Sequence, residues 1–169
     1  MLLLDVIARL MDENARLYRL AHTDPLTGVP NRRALDQHLS GVLDQDVCLM
    51  VIDLDNLKVI NDTRGHTAGD EALRLVAQAL RGVLRESDFF ARVGGDEFTA
   101  VLLATGDGAR AAAERMRVAA EALGYSISVG LWVRREGEAV SEEEATRRAD
   151  VALYQAKVAG RNCVREWSG

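Results

Sequence analysis

The sequence has no basic excess, little cysteine and no long apolar run, and each deficit removes a class of function. Its 21 lysines and arginines are outnumbered by 26 aspartates and glutamates, giving a formal net charge of −5. That balance argues against a nucleic-acid binder working by general electrostatics, which needs basic patches. Nucleotides stay open, because a few local cations and a metal ion can hold them. The two cysteines, Cys48 and Cys163, lie far apart and form no CxxC pair, so two free thiols in a reducing compartment are expected. The three histidines, His22, His38 and His66, are scattered and suggest no zinc site. The apolar start, MLLLDVIARLM, is interrupted by Asp5 and Arg9, whereas a membrane span takes roughly 20 apolar residues. It also lacks the basic start and small-residue cleavage pattern of a secretory signal. A cytoplasmic chain with no membrane span is therefore expected.

What is present suits one soluble domain. The chain has 169 residues, 48% hydrophobic and 28% charged, enough for one real core and too few for two comfortable domains. Leu3, Val6 or Ile7, Leu10, Leu17 and Leu20 recur at three- and four-residue steps and predict an amphipathic helix over residues 1–20. Two readings stand for it: a short coiled-coil stalk with Asn14 near the seam, or a helix packed on its own domain. HTDPLTGVPNRR reads as a loop, with Asn31 capping a helix from about Arg32 to Leu43. VCLMVIDLD reads as a central strand ending in acids at its solvent end. A strong amphipathic helix follows in HTAGDEALRLVAQALRGVLR. Phe89 to Val93 and Asp96 to Leu103 read as strands joined by a tight turn at Gly94-Gly95. A helix ended by Gly124, a strand in YSISVGLWV, a helix capped by Ser141 with Glu144, and a short strand in NCVREW complete the chain. The order predicts an α+β fold, a split βαβ arrangement on a mostly antiparallel sheet with helices over one face.

The stretch FFARVGGDEFTAVLL places two adjacent acids behind two glycines inside a strand pattern. Buried strands resist unpaired carboxylates, so either this is an exposed hairpin tip or the acids hold something positive. The predicted arrangement can bring Asp53, Asp55, Asp96 and Glu97 together. Four such charges repel unless a cation lies between them, and hard oxygens favour magnesium or manganese over zinc. A magnesium ion held by one or two carboxylates keeps positions open for phosphate oxygens, which points to phosphoryl transfer.

GGDEF at Gly94 to Phe98 resembles the signature of the GGDEF family, the diguanylate cyclases. DPLTGVPNRR (Asp24 to Arg33), DLDNLKVIND (Asp53 to Asp62), GHTAGDEAL (Gly65 to Leu73) and ADVALYQAKVAGRN (Ala149 to Asn162) resemble further family blocks, in order and spacing. The resemblance runs from about Ala21 to Glu166 and implies a polymerase-palm-like fold over a catalytic domain of residues 21–169. It implies a reaction joining two GTP molecules into cyclic di-GMP with release of two pyrophosphates. Each domain of the family binds one GTP, so a homodimer is implied, and residues 1–20 gain meaning as a stalk that sets its pose.

The resemblance also assigns roles. Asp53 and Asp96 are implied metal ligands, with the Leu54 carbonyl assisting and Mg2+ or Mn2+ as the ion. Glu97 is a second candidate for metal contact or proton transfer. Asn61 and Asp70 match guanine-binding positions, where a carboxylate can accept from both N1–H and the 2-amino group and adenine offers no such pair. Lys58, Lys157 and Arg161 match residues holding the β- and γ-phosphates. Lys157 and Arg161, four apart, are expected on one helix face. Gly94 and Gly95 let the backbone approach the nucleotide. RESD, with Arg85 and Asp88, resembles the family's RxxD site, where the product cyclic di-GMP inhibits. Leu57, where the family usually carries an aromatic, and Val29, where Leu is more usual, depart from the pattern but keep apolar character. A non-catalytic receptor for GTP or cyclic di-GMP is the competing reading, opposed by the intact Asp53, Lys58, Asp96 and Glu97. A related cyclase with another base preference is opposed by Asn61 and Asp70.

Overall fold

A computed structural model describes residues 2–104 and 106–169; Met1 of the expected stalk and Thr105 lie outside the described residues. The elements run α1 (Leu2–His22), α2 (Arg32–Leu39), β1 (Cys48–Leu54), α3 (Leu57–Arg64), α4 (His66–Val83), β2 (Phe89–Gly94), β3 (Glu97–Leu102), α5 (Gly106–Glu121), β4 (Ile127–Val133), α6 (Glu142–Val158) and β5 (Val164–Glu166). The strands form one sheet in the order β2-β3-β1-β4-β5. All pairings are antiparallel except β4 with β5, so the α+β, mostly antiparallel expectation holds.

The helices do not lie over one face, as expected, but over both. Every residue of β1 is buried, and a strand apolar on both sides needs cover on both. Met50, Ile52 and Leu54 point to one side, where they pack with Leu73, Val76 and Leu80 of α4 and Met116 of α5. Leu49 and Val51 point to the other and meet Leu35 and Leu39 of α2, Leu153 of α6 and the wholly buried Trp132. Alternation along one strand thus separates two apolar layers.

Local signals account for most boundaries. The Asn31 side chain accepts the Ala34 N–H at the start of α2, and Ser141 accepts the Glu144 N–H at the start of α6. The Glu144 carboxylate does not complete the reciprocal bond; it pairs with Arg147 and Arg148. Helix α2 stops at Leu39 rather than Leu43, because Gly41 and Val42 bond three residues back to His38 and Leu39 and tighten the chain into turns. Helix α3 is the unforeseen element: eight residues whose only core contacts are the partly buried Leu57 and Ile60, a stripe too short to announce it. Both cysteines are free, Cys48 buried and Cys163 half-buried. Leu3, Val6, Ile7, Leu10, Leu17 and Leu20 of α1 are all exposed, so the helix does not bury its apolar stripe on its own domain. Among the described residues no helix is long and apolar enough to cross a membrane.

Candidate active site

Asp53, near the C-terminal end of β1, and Asp55, in the turn just beyond it, have different environments. Asp53 is 5% exposed and its Oδ2 accepts a hydrogen bond from Lys157 Nζ at 2.7 Å. Asp55 is 3% exposed and is satisfied otherwise: Oδ1 accepts from the Ser128 hydroxyl at 2.7 Å and Oδ2 from the Asn162 N–H at 3.1 Å. Within the expected group of four acids, Asp55 thus stands apart in having both oxygens engaged inside the fold. Asp55 is drawn into hydrogen bonds with β4 and the chain after α6, because a carboxylate this buried must have its lone pairs filled.

Lys157 reaches Asp53 because α6 lies directly on the sheet. A side chain at Gly130 in β4 would collide with Leu153 N, Ala149 O and Leu153 Cα, so only glycine admits the helix at this depth. One turn beyond Leu153 is Lys157, and two residues along β4 from Gly130 is Ser128, the cross-strand partner of Asp53. The close contact thus sets the ammonium over the carboxylate. Gly130 went unnoticed in sequence, and its only signal was a glycine in the middle of an otherwise apolar strand pattern.

The hairpin brings the third charge. Its two-residue turn is Gly95-Asp96, not Gly94-Gly95: Gly94 is the last residue of β2 and pairs with Glu97. The ladder shifts register between Arg92 and Gly94, and this irregularity moves the turn one residue on, with Gly95 at φ 46°. The turn is tied to β1 by a bond from Leu54 N–H to Asp96 O at 3.0 Å. Burial raises the Asp53 pKa; the Lys157 hydrogen bond opposes that, and the charges of Asp96 and Asp55 add to the rise. The charges of Lys157, Asp96 and Asp55 thus all act on Asp53. Glu97, cross-strand from Asp53, lines a cavity of about 330 Å³ between α2 and α6 with Arg32, Asp150, Tyr154 and Lys157. The Asp150 carboxyl is pushed up by burial and by Glu97, against the pull of Arg32.

Arg92, also missed in sequence, fixes the hairpin from behind. Its guanidinium donates to both Asp24 oxygens at 3.0 and 3.2 Å and to Gly95 O at 2.6 and 3.1 Å. Asp24 also accepts from the Thr27 N–H and hydroxyl. Burial works against the Asp24 charge, yet the bonds from Thr27 and Arg92 outweigh it and hold the pKa below the usual range. An arginine in the strand leading into the glycines, facing an acid in the opening loop, was the available clue.

The remaining residues form separate groups. Lys58 is exposed in the first turn of α3, Asn61 is half-buried one turn on, and Asp70 is exposed in α4. The Asn61 side chain lies so close over Gly69 that a Cβ there would overlap it, which places Asn61 beside the start of α4. Arg161 does not share the α6 face with Lys157. The helix ends at Val158, and Arg161 is exposed in a left-handed turn at φ 64°. Asp88 makes no ion pair with Arg85 among the described residues; it accepts the Arg85 N–H at 2.9 Å, closing a turn from which the Arg85 side chain faces solvent.

The oxygens at the β1 end suit a hard divalent ion. Asp53 is a buried carboxylate repelled by two others and relieved by one cation. Among the described residues no group of three or more His, Cys, Asp and Glu side chains could form a cage.

A family model described as diguanylate cyclase, GGDEF domain, matches residues 21–163. The diguanylate cyclase DgcP of Pseudomonas aeruginosa is 43% identical over 161 residues, 84% of this chain and 23% of that protein. The diguanylate cyclase TpbB of the same species is 38% identical over 167 residues, 89% of this chain and 38% of its own length. The chain thus spans less than two fifths of these relatives. Among solved structures, the coiled coil and GGDEF domain of Caulobacter crescentus DgcB in complex with c-di-GMP superposes with a TM-score of 0.85 at 31% identity, covering 96% of this chain and 94% of that one. With the model match spanning most of the chain, its order of elements and its charged hairpin accounted for, this protein belongs to the GGDEF-domain, diguanylate cyclase family.

Proposed function

We propose that this chain is an active diguanylate cyclase domain that condenses two GTP molecules into cyclic di-GMP. The 3′-oxygen of each GTP forms a bond to the α-phosphorus of the other, the bond from each α-phosphorus to its bridging oxygen breaks, and two pyrophosphates leave. Because each domain holds one GTP, two copies must face each other, and the rate depends on their relative pose. The exposed apolar stripe of α1 supports a stalk over residues 1–20 that sets this pose for a catalytic unit of residues 21–169.

The observation that carries the reading is Asp53: a nearly buried carboxylate beside Lys157 and the hairpin acid Asp96, at the open end of a strand. Asp53, Asp96 and the Leu54 carbonyl would hold Mg2+ or Mn2+. The ion supplies acidification of the ribose hydroxyl and stabilisation of charge on the α-phosphoryl group. Glu97 is the candidate to take or relay the hydroxyl proton. Lys58, Lys157 and Arg161 supply positive charge for the β- and γ-phosphates, and the exposed Gly94 and Gly95 leave room for the nucleotide. Asn61 and Asp70 select guanine by accepting donors that adenine lacks. Arg85, exposed beside the Asp88 turn, forms the product's inhibitory site with Asp88. The setting is the cytoplasm, where GTP is supplied.

The test is product formation from GTP and Mg2+, followed chromatographically as protein concentration rises. Turnover per chain that increases with concentration supports a cyclase active as a dimer. Bound GTP or bound cyclic di-GMP without turnover, at concentrations where dimers form, supports a receptor instead.

A further inference from the structure

We propose that Asp55 is a positioning residue: its buried carboxylate pins the turn after α6 and so aims the Arg161 guanidinium at the outer phosphates. The inference rests on the assignment of Arg161 to those phosphates.

The turn is unusual backbone. Gly160, Arg161 and Asn162 have consecutive positive φ angles of 112°, 64° and 45°. Asparagine eases into the left-handed region through its short polar side chain, whereas arginine has no such help. A conformation of this kind persists where its surroundings over-determine it, and such places cluster at functional sites. The restraints here are explicit. The Arg161 N–H donates to Ala156 O at 3.1 Å, and the Asn162 N–H donates to Asp55 Oδ2 at 3.1 Å. The Asn162 side chain accepts from Arg117 at 3.3 Å and donates to Glu121 at 3.1 Å, both on α5.

Asp55 is the buried member of that set. Its second oxygen takes the hydroxyl of Ser128, which is wholly buried in β4. One carboxylate therefore joins β1, β4 and the turn. With both oxygens engaged, Asp55 does not join Asp53 and Asp96 as a third free acid. What it does reach is the backbone immediately after Arg161, so it fixes where that exposed guanidinium stands relative to Lys157.

The experiment compares the full chain with Asp55→Ala, Asp55→Asn, Arg161→Ala and the Asp55→Ala/Arg161→Ala double variant. The readout is calorimetric affinity for a GTP analogue carrying a methylene between the α- and β-phosphates, and for guanosine monophosphate. Asp55→Ala is expected to weaken the analogue by about tenfold, the loss of one charged hydrogen-bonding contact, while leaving the monophosphate within about twofold. Asp55→Asn is expected to restore affinity, because its amide can donate to the Ser128 hydroxyl while its oxygen keeps the Asn162 N–H. The double variant should bind no more weakly than Arg161→Ala alone, since the two substitutions remove one interaction. Additive losses, or equal losses for both nucleotides, overturn the proposal. If Arg161→Ala weakens the analogue and Asp55→Ala does not, the positioning role alone falls. If Arg161→Ala has no effect, the phosphate assignment falls and takes the positioning role with it. Should Asp55→Ala fail to fold, Asn162→Ala keeps the carboxylate and disfavours the left-handed turn. It must then weaken the analogue selectively, and unchanged affinity overturns the proposal.

Discussion

Replacing Gly130 by alanine tests how the site is assembled. The added Cβ lies 2.7 Å from Leu153 Cα and still closer to Leu153 N and Ala149 O, against about 3.5–4.0 Å for a comfortable carbon contact. The atoms it meets are helix backbone and cannot rotate away, so α6 must retreat by about 1 Å. Overpacking of this kind costs about 1–3 kcal/mol. At roughly 2–4 °C per kcal/mol for a chain of this size, the melting temperature should fall measurably in a thermal scan. The same retreat draws Lys157 Nζ away from Asp53 Oδ2, now 2.7 Å apart, beyond hydrogen-bonding range. Cyclic di-GMP formation should therefore fall more than stability alone explains, when both are measured well below the melting temperature. A variant with unchanged melting temperature and unchanged turnover would refute the claim that the α6–β4 contact places Lys157.

Four further outcomes follow from the same geometry. The Asp53 pKa is raised in the folded chain, so the native state holds more protons than the unfolded chain between the two values. Stability of the metal-free protein should fall as pH rises from the ordinary aspartate range through the raised value. Asp53→Asn should flatten that slope while abolishing turnover; a pH dependence of the urea midpoint unchanged by the substitution contradicts it. Arg92→Ala leaves Asp24 without its cation and the hairpin without its tie to the opening loop, a loss of about 2–3 kcal/mol by urea titration; a loss under about 0.5 kcal/mol would show the tie to be incidental. Arg85→Ala should relieve inhibition by added cyclic di-GMP and spare the initial rate, and an unchanged inhibition curve would remove the RESD turn from the account. Asp70→Ala should narrow discrimination between GTP and ATP in a competition assay, and intact discrimination would dismiss Asp70 as the guanine reader.

Much of this was legible because local rules and tertiary demands agreed. The apolar run ending at Asp53, the cap at Asn31 and the Ser141 start of α6 each carried a local physical signal, and the structure places an element at each; the paired glycines marked the hairpin but not its turn, which falls one residue on. Contacts distant in sequence were not legible. Nothing local distinguished Asp53 from Asp55, yet a lysine 104 residues on takes one and a backbone N–H 107 residues on takes the other. The covering of both sheet faces could have been read from the unbroken apolar character of β1. The place of Arg161 could not, because the four-residue spacing from Lys157 held only if α6 ran past Val158. Helix α3 hides in sequence because its apolar face is just Leu57 and Ile60, both only partly buried.

The central claim is that oxygens from the end of β1 and from the hairpin share a divalent ion beside a triphosphate. Electron paramagnetic resonance of Mn2+ titrated into the protein with a non-hydrolysable GTP analogue tests it most directly. A bound Mn2+ signal is expected in the wild-type chain and is lost in Asp53→Ala and in Asp96→Ala. An equal bound signal in all three proteins would contradict it.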